Sequence, residues 1–164
     1  MDYDTMRKDL LVLMNKYDAE NIKKIETIIS KYGYPGKSLV GEPTNRASFL
    51  VIQHSDKIPK YLPVIKVAAE KKELPFRSYA MMLDRYLMEK KEQQIYGSQG
   101  LEIGGIPIIW PIKDPSNVNK LRKNVGFSQT VEEYSKDLFG NNFEYKVYNL
   151  KEVKELFSGY TMFE

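Results

Sequence analysis

The spacing of apolar residues near the N-terminus predicts helices. Apolar side chains recur there at steps of three and four residues, which is the period of one helix face. The first stripe consists of Met6, Leu10, Leu13, Met14 and Tyr17. A second stripe consists of Ile22, Ile25, Ile29 and Tyr32. It should end near Gly33 and Pro35, because glycine tolerates the left-handed position after a helix and proline cannot continue one. Two helices are therefore predicted before residue 33.

Three further helical patterns follow. Thr44 or Asn45 can cap a third helix, which Pro59 should close. Its stripe carries Ala47, Leu50, Val51 and His54, so His54 is predicted to point inward or to the edge of the core. Residues 60–72 repeat the pattern, and residues 76–94 carry what should be the longest helix. The inward positions of that helix are Tyr79, Met82, Leu83, Tyr86 and Leu87.

The pattern changes after residue 94. Residues 95–114 are rich in Ile, Tyr and Trp and are interrupted by Gly104 and Gly105, which predicts a β-hairpin. A short helix at 118–124 and a helix capped by Ser128 or Thr130 should come next, followed by a short strand within 143–150 and a final helix. The predicted fold class is mainly α: a single-domain helical bundle, residues 1–164, with a small β-hairpin near residues 95–112.

Composition narrows the class of protein. The chain has no cysteine, which excludes disulfide scaffolds, thiol catalysis and thiolate metal sites. Its 25 basic and 22 acidic residues are spread along the sequence, so no nucleic-acid partner is expected. No apolar run approaches the length of a membrane span, and the charged N-terminus does not resemble a signal peptide. We expect a soluble, cytoplasmic protein with no membrane partner.

The sequence can be compared with the patterns of two common classes of ligand site, the phosphate-binding P-loop and the metal site. The segment GYPGKS (33–38) ends like a phosphate-binding P-loop, but Lys31 stands where the first glycine is required and a helix precedes it, so a turn is predicted. A single histidine and no cysteine exclude the common zinc and two-histidine iron sites. A carboxylate site for Mg²⁺ or Ca²⁺ at Asp56, Asp84 and Asp114 is left open, but neither a metal nor a cofactor is expected.

His54, the only histidine, is the first candidate for acid–base chemistry. The competing interpretation is a structural histidine bonded to a backbone carbonyl. Asp84 lies in the apolar helix segment MMLDRYLM, where a buried carboxylate needs a partner. Pairing with His54 would orient the imidazole and raise its pKa, as a general base requires. Pairing with Arg85 or Arg122 would be structural.

Polar side chains beyond that helix can bind a ligand. Gln94, Tyr96 and Gln99 in the segment QQIYGSQ offer amides and a phenol, although a polar hairpin end would show the same composition. Arg122 lies between two lysines on a short helix and could hold a carboxylate or phosphate in a fixed orientation. A solvated helix face is the alternative, mainly for the lysines.

Several sequence segments together resemble a widespread bacterial family known as a domain of unknown function. They are IISKYGYPGKSLVG, FLVIQHSD, MLDRY, QQIYGSQ and PIKDPSNVNKLRKNVGF, and they cover about residues 25–135. Ser98 and Phe127 stand where Thr and Leu are expected. The resemblance implies a shared fold and pocket, with no known reaction. Its matching positions are Gln53, His54, Asp56, Asp84, Arg85, Gln94, Tyr96, Gln99, Asp114 and Arg122.

The leading hypothesis is a metal-independent acid–base enzyme, a hydrolase or group transferase acting on a small anionic or polar substrate. His54 would carry the proton, Asp84 would orient it, and Arg122 or Arg85 would clamp the anion. Tyr96 would assist catalysis, and Gln53, Gln94 and Gln99 would bind substrate. The alternative is a non-catalytic binding module that sequesters a small anionic metabolite, a nucleotide or a partner protein. In a third hypothesis the ionic residues only fix helix packing.

Overall fold

The computed structural model describes residues 2–160, and the chain divides into two compact units, Met1–Leu74 and Pro75–Glu164. The first unit contains α1 (Tyr3–Tyr32), α2 (Lys37–Val40), a 3₁₀ turn (Thr44–Arg46), α3 (Ala47–Gln53) and α4 (Ile58–Glu70). The second contains α5 (Phe76–Glu89), β1 (Gly100–Ile103), β2 (Ile106–Ile109), α6 (Val118–Asn124), α7 (Val131–Phe139) and α8 (Leu150–Tyr160). The mainly α class with a small hairpin is confirmed. The single domain stays a prediction.

The N-terminal segment is one helix rather than the two predicted. α1 runs without a break over 30 residues, and it, not α5 with 14 residues, is the longest helix described. The two apolar stripes belong to the same helix because no glycine or proline interrupts residues 3–32. Every described residue from Thr5 to Glu20 is exposed, whereas Ile22 is buried.

The predicted orientation of the third helix is wrong. Phe49 and Ile52 are the buried apolar residues of α3, while Leu50 and His54 are exposed. Pro59 does not close α3, which already ends at Gln53; it lies in the first turn of α4. Proline is favoured there because a first-turn N–H has no acceptor within the helix. His54 therefore follows α3 as an exposed capping residue and does not contribute to the core.

Both α4 and α5 end in the same backbone motif, in which a lysine adopts the left-handed conformation. Lys72 has φ of 61° after α4, and Lys91 has φ of 58° after α5. In each case this lysine and the residue after it donate backbone N–H groups to carbonyls of the last helical turn, at 2.9–3.0 Å. Glycine usually occupies this position because a Cβ atom is strained there. The two lysines are therefore equivalent in backbone geometry.

The hairpin of the second unit separates two groups of core residues. β1 and β2 pair antiparallel, with Gly100 opposite Ile109 and Ile103 opposite Ile106. Successive residues of a strand face opposite sides. One core cluster accordingly contains Ile103, Ile108, Trp110 and Val153, and the other contains Ile109, Ile112, Val118 and Val131. The hairpin thus contributes to both clusters.

The C-terminal elements correct one prediction and confirm another. Residues 143–149 form no strand, and the chain is irregular until α8 begins. Thr130 caps α7 as predicted: its side chain accepts the N–H of Glu133, whose carboxylate accepts the N–H of Thr130. Among the described residues, no helix combines the length and apolarity needed to cross a membrane.

Candidate functional site

Asp84, on α5, holds the backbone of the loop at residues 94–99. Its side chain is fully buried. One carboxylate oxygen accepts the N–H groups of Ile95 at 2.8 Å and Tyr96 at 3.0 Å. The other accepts the N–H of Ser98 at 3.0 Å, the Ser98 hydroxyl at 2.8 Å and the Tyr96 N–H at 3.1 Å. Both oxygens of this buried carboxylate are therefore engaged by the loop.

Arg122, on α6, binds carbonyl groups of the same loop. The side chain is buried, and its Nη1 donates to the carbonyls of Tyr96 at 2.8 Å and Gly97 at 3.2 Å. Its Nε donates to the carbonyl of Gln129 at 2.8 Å. The guanidinium also lies 4.5 Å from the Phe127 ring centroid and 5.2 Å from that of Tyr134. Arg122 thus satisfies carbonyls of the loop while Asp84 satisfies its amides.

Gln94 and Gln99 connect the loop to the hairpin. The Gln94 amide donates to the carbonyls of Gln99 at 2.9 Å and Trp110 at 2.7 Å, and its oxygen accepts the Gln99 N–H at 2.9 Å. The Gln99 side chain donates to the Ser98 carbonyl at 2.9 Å. Tyr134 donates its hydroxyl to the same Ser98 carbonyl at 2.9 Å. These buried amides act on the protein's own backbone, which a buried polar side chain requires.

Gly97 allows the loop backbone to adopt a left-handed conformation close to neighbouring side chains. Its φ is +63°, and a Cβ atom added there would lie 2.9 Å from the Ile112 Cδ1 and Val131 Cγ2 atoms. A side chain would therefore be disfavoured by both the backbone conformation and the lack of space.

Burial is the largest influence on the pKa values of these groups. It raises the pKa of the Asp84 carboxyl, while the hydrogen bonds from Ile95, Tyr96 and Ser98 act in the opposite direction. Burial lowers the pKa of Arg122 and raises that of Tyr134. The Tyr96 phenol also has a raised pKa, first because of burial and then because of the Asp84 charge. A neutral, protonated phenol is the form that this environment favours.

The structure thus brings five of the predicted site residues together around one loop: Asp84, Gln94, Tyr96, Gln99 and Arg122. Arg85 follows Asp84 on α5 and is half-buried. Asp114 accepts hydrogen bonds from the Ser116 hydroxyl at 2.7 Å and the Asn117 amide at 2.8 Å, in the turn before α6. Gln53 is buried at the end of α3. It belongs to the first unit, as do His54 and Asp56, so their predicted sharing of a site with Asp84 stays a prediction.

His54 lines a groove of about 370 Å³ in the first unit. The ionisable residues that line the groove beside His54 are Asp18, Lys23, Glu26, Asp56 and Lys57. Hydrogen bonding to Lys60 lowers the pKa of Glu26, which lies 2.8 Å from the Lys60 ammonium. Across residues 2–160, no three His, Asp or Glu side chains are grouped as metal ligands would be. The imidazole is accessible to a ligand in this groove.

Residues 33–36 of the GYPGKS segment bend the chain, but the predicted turn is wrong for Lys37 and Ser38, which begin the short helix α2. The protein itself supplies an anion at this segment. The carboxylate of Glu73 accepts the Ser38 N–H at 2.8 Å, and the Glu73 carbonyl accepts the Lys37 N–H at 2.9 Å. A Cβ atom on Gly36 would lie 2.5 Å from the Glu73 Cβ. The backbone groups that a P-loop would offer to phosphate are therefore used within the first unit.

A second groove, in the second unit, was not predicted from the sequence. It has a volume of about 630 Å³, and its apolar wall consists of Met88, Leu101, Trp110, Leu150, Val153 and Phe157. Two cations, Lys91 and Lys154, and one acid, Glu89, also line it, together with Ser158. The sequence signals were the lone tryptophan, Trp110, and the lysine run EKKE (89–92), but the two lie far apart in the chain and EKKE is also typical of a solvated helix end.

Comparison with known proteins identifies a family. A model for a family of unknown function, DUF6624, matches residues 1–148. The chain belongs to this family. No curated protein and no solved structure shows significant similarity to it. The match includes loop 94–99 and its Asp84 and Arg122 anchors, whereas α8, which forms one side of the second groove, lies beyond the matched residues.

Proposed function

We propose that this DUF6624 member is a non-catalytic binding module for a small molecule with an apolar body and an anionic group. The groove of the second unit carries the proposal, because an apolar wall and two lysines lie at one concave site. Its volume is in the range typical of small-molecule sites, roughly 300–1,000 Å³. An anionic ligand falls within the class of small anionic or polar molecules expected from the sequence, for which binding without catalysis was the alternative hypothesis.

The arrangement around loop 94–99 favours binding over catalysis in this unit. A general base and an anion clamp need groups that can reach a substrate. The Asp84 carboxylate and the Arg122 guanidinium are instead engaged with the loop backbone. They fix the polypeptide between α5 and the hairpin, and both of these elements contribute to the groove wall through Met88 and Leu101. The polar motif residues would thus keep a binding surface rigid.

The position of Lys91 in the groove supports a role for its side chain. This residue occupies a left-handed position where a non-glycine side chain costs on the order of 1 kcal/mol. Lys72 has the same conformation but does not line the groove, so the argument for Lys91 rests on the place of its side chain in the groove lining. Lys154 supplies a second cation from α8, and Glu89 offsets one of the two charges.

The test uses Trp110, the only tryptophan, as a reporter in the groove wall. Decanoate and its uncharged analogue decanol are titrated into the full-length protein, and binding is followed by tryptophan fluorescence and calorimetry. We expect saturable binding of both, with decanoate about tenfold tighter, because each screened lysine contact contributes up to about 1 kcal/mol. Absence of saturable binding, or equal affinity for both probes, would contradict the proposal.

Two lysine variants make the test specific. Lys91→Gly should weaken decanoate binding about fivefold, leave decanol binding unchanged and keep or raise thermal stability. Lys72→Gly is the matched control, because it relieves the same backbone strain after α4 but does not line the groove. It should leave both affinities unchanged. If Lys72→Gly and Lys91→Gly affect binding equally, the charge at the groove is irrelevant.

The acid–base enzyme is a second candidate, favoured by the exposure of His54. The exposed imidazole lines a groove together with three carboxylates, so it can reach a substrate bound there. Chromogenic p-nitrophenyl esters and phosphates, assayed with the wild type and the His54→Gln variant, test this candidate. Turnover that falls at least 100-fold in the variant would support it, and equal rates in the two proteins would contradict it.

A further inference from the structure

We propose that two copies of this chain associate through an antiparallel pairing of the N-terminal half of α1. The proposal rests on a long apolar stripe of α1 that is exposed to solvent. Its members Met6, Leu10, Leu13 and Tyr17 are each about half exposed. Leu11, Val12 and Met14 add further exposed apolar surface to the same segment. Most helical stability in proteins comes from the packing of an apolar face. A partner helix would supply that face.

The spacing of the stripe is that of a helix–helix seam. Steps of four, three and four residues separate Met6, Leu10, Leu13 and Tyr17, which is the pattern of alternating core positions in a coiled coil. At 3.6 residues per turn these four side chains lie within an arc of about 60°. The spacing reads the same in both directions. In an antiparallel pair, Leu10 therefore meets Leu13 of the second copy, and Met6 meets Tyr17.

The charges beside the seam favour a second copy in this orientation. Asp9 and Lys16 lie on the same edge of the stripe, each immediately before a seam residue. Antiparallel pairing places Asp9 of one copy beside Lys16 of the other, and the twofold axis repeats the pair. Parallel pairing would instead place Asp9 near Met14 of the second copy. The helix is thus complementary to itself when the partner runs in the opposite direction.

Sedimentation velocity over a concentration series tests the association. The wild type should form a dimer whose fraction increases with protein concentration, and Leu13→Asp should weaken dimerisation at least tenfold. Val12→Asp is the matched control, since it adds the same charge to the same helix at a residue that is 70% exposed and off the seam. It should leave the dimer intact. A wild type that stays monomeric, or a Val12→Asp variant as defective as Leu13→Asp, would overturn the proposal.

A charge exchange tests the predicted ion pairs. Asp9→Lys and Lys16→Asp should each weaken the dimer, because each places like charges together at both symmetry-related positions. The double variant should restore it, since both pairs are reformed with reversed polarity. Equal defects in the double and single variants would overturn the proposed pairing of Asp9 with Lys16.

Cysteine crosslinking distinguishes the orientation, because the natural chain has no cysteine. A mixture of Met6→Cys and Tyr17→Cys chains should form a disulfide-linked heterodimer under mild oxidation. Each variant alone should crosslink poorly, because two copies of either residue would lie about 16 Å apart along the helix axis. Efficient crosslinking of Met6→Cys alone would indicate parallel helices and overturn the antiparallel arrangement. Circular dichroism confirms that each variant keeps its helical content.

Discussion

The carboxylate of Asp84 binds Ser98 twice, through the backbone N–H at 3.0 Å and through the side-chain hydroxyl at 2.8 Å. The same carboxylate also accepts the N–H groups of Ile95 and Tyr96. All these partners are donors, so they match a group that carries only acceptors, which ionised aspartate is. This relationship explains how an acidic residue can lie inside an apolar helix face.

The substitution Asp84→Asn should destabilise the second unit. An amide NH₂ would replace one oxygen, so the N–H groups of Tyr96 and Ser98 would face another donor. Each lost hydrogen bond to a buried group costs about 1–2 kcal/mol, and we expect a loss on the order of 2 kcal/mol in the free energy of unfolding. Urea unfolding measures it. Glu102→Gln, on the exposed side of β1, is the control and should change stability by less than about 0.5 kcal/mol. Equal stability of Asp84→Asn and wild type would contradict the assigned hydrogen bonds.

Arg122→Lys should loosen loop 94–99 although it keeps the charge. Lysine has no planar fork to bind the carbonyls of Tyr96, Gly97 and Gln129, and its ammonium stacks less well on Phe127. We expect a loss of about 2–3 kcal/mol in stability. Hydrogen exchange at the amides of residues 95–99 should become faster. Lys120→Arg, exposed on the same helix, is the control; protection of these amides that matches the wild type in Arg122→Lys would contradict the prediction.

The Glu73 carboxylate should make the first unit sensitive to acid. The backbone N–H and hydroxyl of Ser38 lower the pKa of Glu73 below its ordinary value of 4.5. Because the pKa is lower in the folded state, this stabilisation is fully present above the unfolded pKa and disappears as the pH falls through the folded one.

Glu73→Gln isolates that contribution, because glutamine keeps an acceptor for the Ser38 N–H but loses the charge. The wild type should have the higher melting temperature at pH 7, and the difference should shrink as the pH falls through the lowered pKa of Glu73. Thermal unfolding by circular dichroism at a series of pH values measures this. Glu70→Gln, exposed at the last residue of α4, is the control. A difference between wild type and Glu73→Gln that does not depend on pH would refute the assignment.

His54→Gln should fold normally. The imidazole is exposed and follows α3, so its replacement removes no buried contact. We expect a change of less than about 0.5 kcal/mol in the free energy of unfolding. Phe49→Ala, which empties a buried position in the same helix, should cost about 3–5 kcal/mol and serves as the positive control. A large loss of stability in His54→Gln would show a structural histidine and would remove it as a candidate proton carrier.

The sequence by itself determined the helical class and the hairpin, limited the cap of α7 to Ser128 or Thr130, and lacked the first glycine of a P-loop at GYPGKS. These features depend on local chemistry: apolar periodicity, paired glycines and side chains that bond to nearby backbone. The polar residues of segment 94–99, Asp84 and Arg122 were also predicted to share one site, with His54 at its centre, because ionic and amide groups within apolar segments need partners.

Only the tertiary structure decided what those partners are. A sequence does not tell whether a buried carboxylate meets a side chain or a row of backbone N–H groups, since every residue except proline carries an N–H. The sequence also could not predict which face of α3 is buried, because Leu50 and Phe49 are both apolar. Phe49 lies in the core because of how α3 packs in the tertiary structure. The apolar stripe of α1 has the same spacing whether it faces a core or a second molecule. Which of these it meets depends on contacts between residues far apart in the chain, or in separate chains, and periodicity carries no information about them.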